Sequence, residues 1–262
     1  MLLEKRDTVI DEIMKTGIDV KNRLIYFGEN AEDDCFGDVS MSSVEYCIRK
    51  FNKLIDDDPT HEKPINFWVE SYGGDIYPTL ALYDRIKTCP CPVRFFGYGA
   101  LMSAITSIMC VCDERYLFRN ARVMVHEGSD GAEDRSSHFQ VTAKECAIMN
   151  DFFDAIYAEN SFVDAHTWKE ICKMDVYLSA EEAIRLGLAD VIVEEPDRTQ
   201  FRLIRMNNKP EPEKIAVLIQ DIFKRTDRTQ QVNVTCSSNL NQELAEQLIA
   251  TTPKKRGRKP KV

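Results

Sequence analysis

The sequence predicts an α/β domain built on a largely parallel sheet, and three features carry that prediction. Ile65-Asn-Phe-Trp-Val69 is a short apolar strand that runs into Tyr72-Gly73-Gly74-Asp75 and then into a helix. Val93-Arg-Phe-Phe96 repeats the pattern, running into Gly97-Tyr98-Gly99-Ala100 and a second helix that begins beside Ser103. Ala121 to Val125 is a third apolar run, and it delivers His126 at its end.

Taken in chain order, residues 8–16 have helical patterning, and Arg23-Leu-Ile-Tyr-Phe27 is a strand closed by Gly28. Residues 42–58 are an amphipathic helix: Val44, Cys47, Ile48, Phe51, Leu54 and Ile55 fall on one stripe, with Ser42 or Ser43 as N-cap. The Ile65–Val69 strand leads to a helix from Asp75 to Lys87, in which Pro78 is tolerated because it lies in the first turn. The Val93–Phe96 strand leads to a helix from Met102 to Met109, and Cys112–Arg119 is a turn before the strand that ends at Val125. Residues 127–138 are polar and contain glycines, which marks a loop; Phe139 to Asn160 is a long helix and Asp164 to Met174 a shorter one. Leu178 to Gly187 is a helix with a Ser179–Glu182 capping box and Gly187 as its stop, followed by a strand at Asp190–Val193. Past Glu195 the pattern loosens to an amphipathic helix at Glu211–Lys224, a polar stretch, a helix at Asn239–Ala250 and a basic end. The expected organisation is an N-terminal segment (1–20), an α/β domain (21–200), a partly helical extension (201–252) and a basic tail (253–262).

Composition narrows the class. The chain has 262 residues, enough to bury a large core, and its 44% apolar and 29% charged content is that of a soluble globular protein. No run of 18 apolar residues is present, so no membrane span is expected. The N-terminus mixes acids with bases and has no apolar h-region, so a cytoplasmic location is expected. Nine cysteines, an odd number scattered through apolar segments, fit reduced core thiols better than disulfides; the Cys89-Pro-Cys91 and Cys110-Val-Cys112 pairs have no histidine at ligand spacing. The net charge of −9 hides a tail with six bases, Lys254 to Lys261; without it 28 bases face 43 acids, a balance of −15. The body should repel nucleic acid, and only the tail could attract it.

A Gly-Gly turn with free amides, a serine beside a helix start and a strand-end histidine are the parts an acyl-transfer site needs. The Ser103 hydroxyl lies where free amides favour a developing oxyanion, although the same position suits an N-cap or a small packing residue. Among the four histidines, His61 and His138 lie in polar loops and His166 on an amphipathic helix, while His126 ends an apolar strand that can aim it. A general base needs an orienting acid, and Asp175, just ahead of the capped helix, fits that role as well as that of an ordinary loop acid.

These segments together resemble the proteolytic subunit of the Clp protease, the caseinolytic serine peptidase family. WVESYGGDIYPTLALYDRIK is similar to that family's strand, Gly-Gly turn and helix; GALMSA to its nucleophile turn; NARVMVHEG to its strand-to-histidine segment; and DVYLSAEEAIRLGLADVI to its aspartate segment. The resemblance runs from Asn22 to Val193, about two thirds of the chain, and the separations of 29 residues from Gly74 to Ser103 and 49 from His126 to Asp175 are like the family's own. It implies a crotonase-like ββα spiral with a long handle helix within Gly128–Asn160. It also implies a serine endopeptidase with Ser103 as nucleophile, His126 as general base and Asp175 as orienting acid, and with the Gly74 and Ala104 amides as oxyanion hole. By the same resemblance the subunits stack as two heptameric rings, fed unfolded protein by an ATP-driven AAA+ unfoldase, and the chain needs no cofactor.

The sequence departs from the family pattern in places. Leu101 and Met102 are bulky where small residues are usual, Ala104 replaces a methionine-like neighbour, Tyr72 stands where proline is common, and Arg119 replaces another proline. Ser103 to His126 is 23 residues, two fewer than in typical bacterial members and like phage-type relatives. Counting forward from Gly74 selects Ser103; counting back from His126 selects Leu101 and implies an inactive ring subunit. The forward count is preferred, because the shortening then falls in the Cys112–Arg119 turn. Two alternatives stay open: a non-proteolytic relative, whether inactive subunit or crotonase-type acyl-CoA enzyme, and a phage-type protease that matures a capsid or its scaffold without an ATPase. The tail is similar to an AT-hook interrupted by a lysine, and as simply a solubilising basic end as a minor-groove DNA reader.

Overall fold

The computed structural model describes residues 13, 15–30, 33–128, 136–194, 202–205 and 211–225. The helix expected at 239–250, the basic tail, most of the helix expected at 8–16 and residues 129–135 of the expected loop lie outside them. Chain contacts divide the molecule into Met1–Lys209 and Pro210–Val262.

The first unit is a mixed α/β structure, as the Clp protease fold is. Its strands are β1 (Ile18–Asp19), β2 (Leu24–Phe27), β3 (Glu29–Asn30), β4 (Asp33–Phe36), β5 (Ile65–Ser71), β6 (Val93–Met102), β7 (Glu114–Phe118), β8 (Arg122–Val125), β9 (Val176–Ser179), β10 (Val191–Glu194) and β11 (Arg202–Arg205). The main sheet runs β1-β2-β5-β6-β7-β10-β11, with the inner strands β2, β5, β6, β7 and β10 parallel and the outer two antiparallel to their neighbours. The helices are α1 (Met41–Asp56), α2 (Ile76–Lys87), α3 (Ile105–Val111), α4 (Ser136–Asn160), α5 (Ala165–Cys172) and α6 (Ala180–Leu186). In the second unit α7 (Pro212–Arg225) forms where the amphipathic pattern places it, with Ile215, Leu218, Ile219 and Ile222 on one stripe. Among the described residues no helix is long and apolar enough to cross a membrane.

The period-2 burial of β5 explains its place. Ile65, Phe67, Val69 and Ser71 turn to one face and are buried. On that face Phe67 meets Phe27, Phe95 and Phe51 of α1 edge-to-face, at centroid distances of 6.1, 6.1 and 5.2 Å. Each such fully buried ring contributes roughly 1.5–3 kcal/mol by leaving water. Helix α1 presents Val44, Cys47, Phe51, Leu54 and Ile55 inward as its stripe requires. Its N-cap is Ser40 rather than Ser42 or Ser43: the Ser40 side chain accepts from Ser43 N–H while Ser43 Oγ accepts from Ser40 N–H. The seven cysteines whose side chains are described are free and five are buried, and burial pushes the Cys47 thiol up to about 12.

Two differences from the sequence expectation decide the layout. Residues expected to be the turn Cys112–Arg119 include strand β7, which pairs with both β6 and β10. The expected turn at Gly97–Ala100 is instead continuous strand. β6 pairs along Arg94–Gly97 with β7, then along Ala100–Met102 with β8, so the strand forks from one neighbour to another. Gly99 makes the fork possible. It has φ +57, a left-handed conformation that glycine adopts without the penalty a Cβ brings. β8 then pairs antiparallel with β9, forming a short side ladder off the main sheet. The capping box of Ser179 with Glu182 and the left-handed Gly187 terminate α6 as the sequence indicates.

Candidate active site

The side ladder brings distant residues together by register alone. Met124 faces Tyr177 and Val125 faces Val176, so His126 and Asp175 follow as the next residues out along the same ladder. On the other side Met102 lies beside Met124, and Ser103 N–H donates to Met124 C=O at 2.8 Å. Ser103, His126 and Asp175 thus emerge from three adjacent strand ends. Ser103 Oγ lies 2.7 Å from His126 Nε2, and His126 Nδ1 lies 3.2 Å from Asp175 Oδ1. A carboxylate only accepts, so an Nδ1 proton is turned toward Asp175 and the Nε2 lone pair faces the Ser103 hydroxyl. The His126 side chain is 26% exposed and that of Asp175 68%, so the acid end opens to solvent while the serine end is sheltered.

Ser103 is not a helix N-cap. α3 starts at Ile105, with Ala104 as cap. Ser103 instead occupies the left-handed region at φ +57, a conformation that costs a non-glycine residue about 1–3 kcal/mol and persists only when the surroundings hold it. Its carbonyl accepts from Thr106 N–H at 3.0 Å and from the Thr106 hydroxyl at 2.6 Å. Leu101, the other residue the spacing allows as a partner for His126, is fully buried within β6.

The Gly-Gly turn lies against this serine turn. Gly73 has φ +95, and a Cβ added to it would lie 2.6 Å from Met102 O, 2.7 Å from Ser103 Cβ and 3.1 Å from Ala104 N. The turn is fixed from outside by Val39, whose N–H donates to Gly73 C=O and whose C=O accepts from Asp75 N–H, both at 2.7 Å. Among the described residues no acceptor takes the N–H of Gly74 or of Ala104. Gly74 follows the glycine that lies against Ser103 and Ala104 follows Ser103 itself, so two uncommitted backbone donors come from the two segments that meet at the serine turn; donors of this kind can stabilise a negative oxygen.

The other histidines stand elsewhere. His61 Nδ1 lies 3.9 Å from Cys91 Sγ, His166 is on α5, and the side chain of His138 is outside the described set. Around Ser103 the structure also places Gly73, whose turn the sequence marks but whose close approach it does not, and Thr106 with Tyr157. The Gly-Gly pair signals two unusual φ angles, and a threonine three residues after the serine signals a local back-bond; Tyr157 carries no local signal.

A model of the family described as Clp protease matches residues 39–196. Among curated proteins the chain is similar to the ATP-dependent Clp protease proteolytic subunit of Deinococcus radiodurans, 25% identical over 178 residues that cover 67% of this chain and 82% of that protein. It is also similar to ATP-dependent Clp protease proteolytic subunit 2 of Chlamydia trachomatis serovars D and A, 28% identical over 187 residues, covering 71% of this chain and 87% of each relative.

Proposed function

Because this chain belongs to the Clp protease family and is a serine peptidase of that family, we propose that Ser103, His126 and Asp175 perform its peptide-bond hydrolysis. The observation that supports the assignment is the unbroken contact chain Asp175–His126–Ser103, at 3.2 and 2.7 Å. Ser103 Oγ attacks the scissile carbonyl carbon as His126 Nε2 takes its proton, and Asp175 steadies the resulting imidazolium. The carbonyl oxygen becomes an oxyanion that accepts hydrogen bonds from the Gly74 and Ala104 amides. On collapse the C–N bond breaks and His126 returns the proton to the leaving amine, which departs. Water, deprotonated by the same His126, then releases the acyl group and regenerates Ser103. No step needs a group beyond the chain and water.

The substrates in this reading are unfolded polypeptides inside an oligomeric barrel, delivered by an ATP-driven unfoldase. The relatives' names, as subunits of an ATP-dependent protease, support the partner. Self-association into stacked rings is supported by the long helix α4, which exposes Phe139, Val141, Ile148 and Phe152. A second reading, a maturation protease acting on a scaffold without an ATPase, is favoured by the 23-residue serine-to-histidine spacing and the 69 residues beyond Val193. Proteolysis assays separate these. The purified chain is expected to cleave short peptides and unfolded protein, and stably folded protein only with a Clp-type ATPase and ATP. Digestion of a folded scaffold-like protein without ATP would select the second reading. Proteolysis undiminished in Ser103→Ala would overturn both.

A further inference from the structure

The strained conformation of Ser103 needs something to hold it, and the hydrogen bonds around its carbonyl identify what. The Thr106 hydroxyl lies 2.6 Å from Ser103 C=O and 2.5 Å from the Tyr157 hydroxyl. A threonine hydroxyl has one proton. A carbonyl can only accept, so that proton goes to Ser103, and the Tyr157 hydroxyl must be the donor in the other bond. Both groups are buried, Thr106 at 0% and Tyr157 at 2% exposure. No proton exchange with bulk water competes with the direction so fixed.

We propose that Thr106 and Tyr157 are positioning residues for the nucleophile: a relay from Tyr157 O–H to Thr106 Oγ, and from Thr106 O–H to Ser103 C=O, holds Ser103 in its left-handed conformation with its Oγ on His126. The proposal rests on the reading of Ser103 as nucleophile. The two ends of the relay are on separately anchored elements. Tyr157 lies near the end of α4, where its ring packs 5.2 Å from that of Trp168, and Arg115 ties the helix terminus to the sheet by donating to Asn160 C=O at 2.9 Å and to both carboxylate oxygens of Asp190. Ser107 repeats the device one residue on, its hydroxyl donating to Ala104 C=O at 2.7 Å. With both carbonyls turned inward onto α3 hydroxyls, the serine turn is held from its buried side, which leaves the Ala104 amide on the side of Gly73. Burial, with a further contribution from Cys172, pushes the Tyr157 phenol well above its ordinary value, so the relay's proton is retained at neutral pH.

A merely structural hydroxyl would affect stability; a positioning one affects the reactivity of Ser103. The test is the second-order rate of labelling by a fluorophosphonate in wild type, Thr106→Val, Thr106→Ser and Tyr157→Phe, each with its melting temperature and its kcat and KM on a fluorogenic peptide. Thr106→Val is expected to label about 100-fold more slowly, the scale of a misplacement of about 1 Å. Thr106→Ser, which keeps the hydroxyl, is expected to recover most of that rate. Tyr157→Phe is expected to lose about tenfold, the worth of one buried hydrogen bond. The losses should fall on kcat and leave KM unchanged. Wild-type labelling in Thr106→Val, or a Thr106→Ser variant as slow as Thr106→Val, would overturn the relay alone. Should Thr106→Val not fold, wild-type labelling in Tyr157→Phe overturns it instead. Absence of labelling in the wild type itself overturns the nucleophile reading and the relay with it.

Discussion

Gly73→Ala is expected to lower peptidase activity severely while leaving the chain folded. The added methyl would enter the site at its most crowded point, 2.6 Å from Met102 O and 2.7 Å from Ser103 Cβ, both far inside van der Waals contact. Neither neighbour is the free end of a flexible side chain. Met102 O is backbone of β6, and Ser103 Cβ carries the hydroxyl that meets His126. The backbone compounds the clash, since φ +95 is a region that residues with a Cβ rarely adopt. Relief must come from moving the Gly-Gly turn away from the serine turn, which opens the gap between the Gly74 and Ala104 amides. Loss of oxyanion donors and misplacement of the nucleophile together should lower kcat/KM on the order of 10³-fold. The folding cost should be smaller, about 1–3 kcal/mol, the scale of one strained backbone position, because a shift of the short turn can relieve the rest of the clash although Gly73 itself is buried. Steady-state kinetics on a fluorogenic peptide, with calorimetry on the same preparation, check both halves. Wild-type kcat/KM would contradict the placement of Gly73 against Ser103.

His126→Gln should reduce kcat on the order of 10⁴-fold or more with little change in KM. Glutamine keeps a polar side chain of similar reach, and the residue lies just past the end of β8, so the ladder of Met124 and Val125 with Tyr177 and Val176 should survive. What is lost is the imidazole nitrogen 2.7 Å from Ser103 Oγ, able to take a proton and return it. An amide cannot perform that exchange near neutral pH, so the hydroxyl remains a weak nucleophile. The residual rate should have lost the pH dependence that an imidazole base gives the wild type. A variant that keeps both the rate and the pH profile would require another base.

Segments governed by local rules were legible: the stripe of α1, the Ser179–Glu182 capping box, the Gly187 stop and the apolar strand that ends at His126. Segments governed by pairing partners were not. β7, Glu114-Arg-Tyr-Leu-Phe118, has charged residues at its start and only Tyr116 and Leu117 buried, so nothing local distinguishes it from a turn; its pairing to β6 and β10 makes it a strand. Gly97 and Gly99 are locally a turn signal, yet the pairing of β8 beside Ala100–Met102 continues the strand past a left-handed Gly99. The three strand ends of the candidate site were each readable as motifs. Their convergence depends on register between residues 23 and 49 positions apart, which no local pattern encodes. Thr106 and Tyr157, 51 residues apart, are linked only by tertiary structure.

The most direct test of the account is active-site labelling with a fluorophosphonate, read by intact mass on wild type and Ser103→Ala, with peptide mapping of the adduct. The account predicts one adduct per wild-type chain, on Ser103, and none in the variant. Absence of an adduct on wild type, or an adduct that persists in Ser103→Ala, would contradict it.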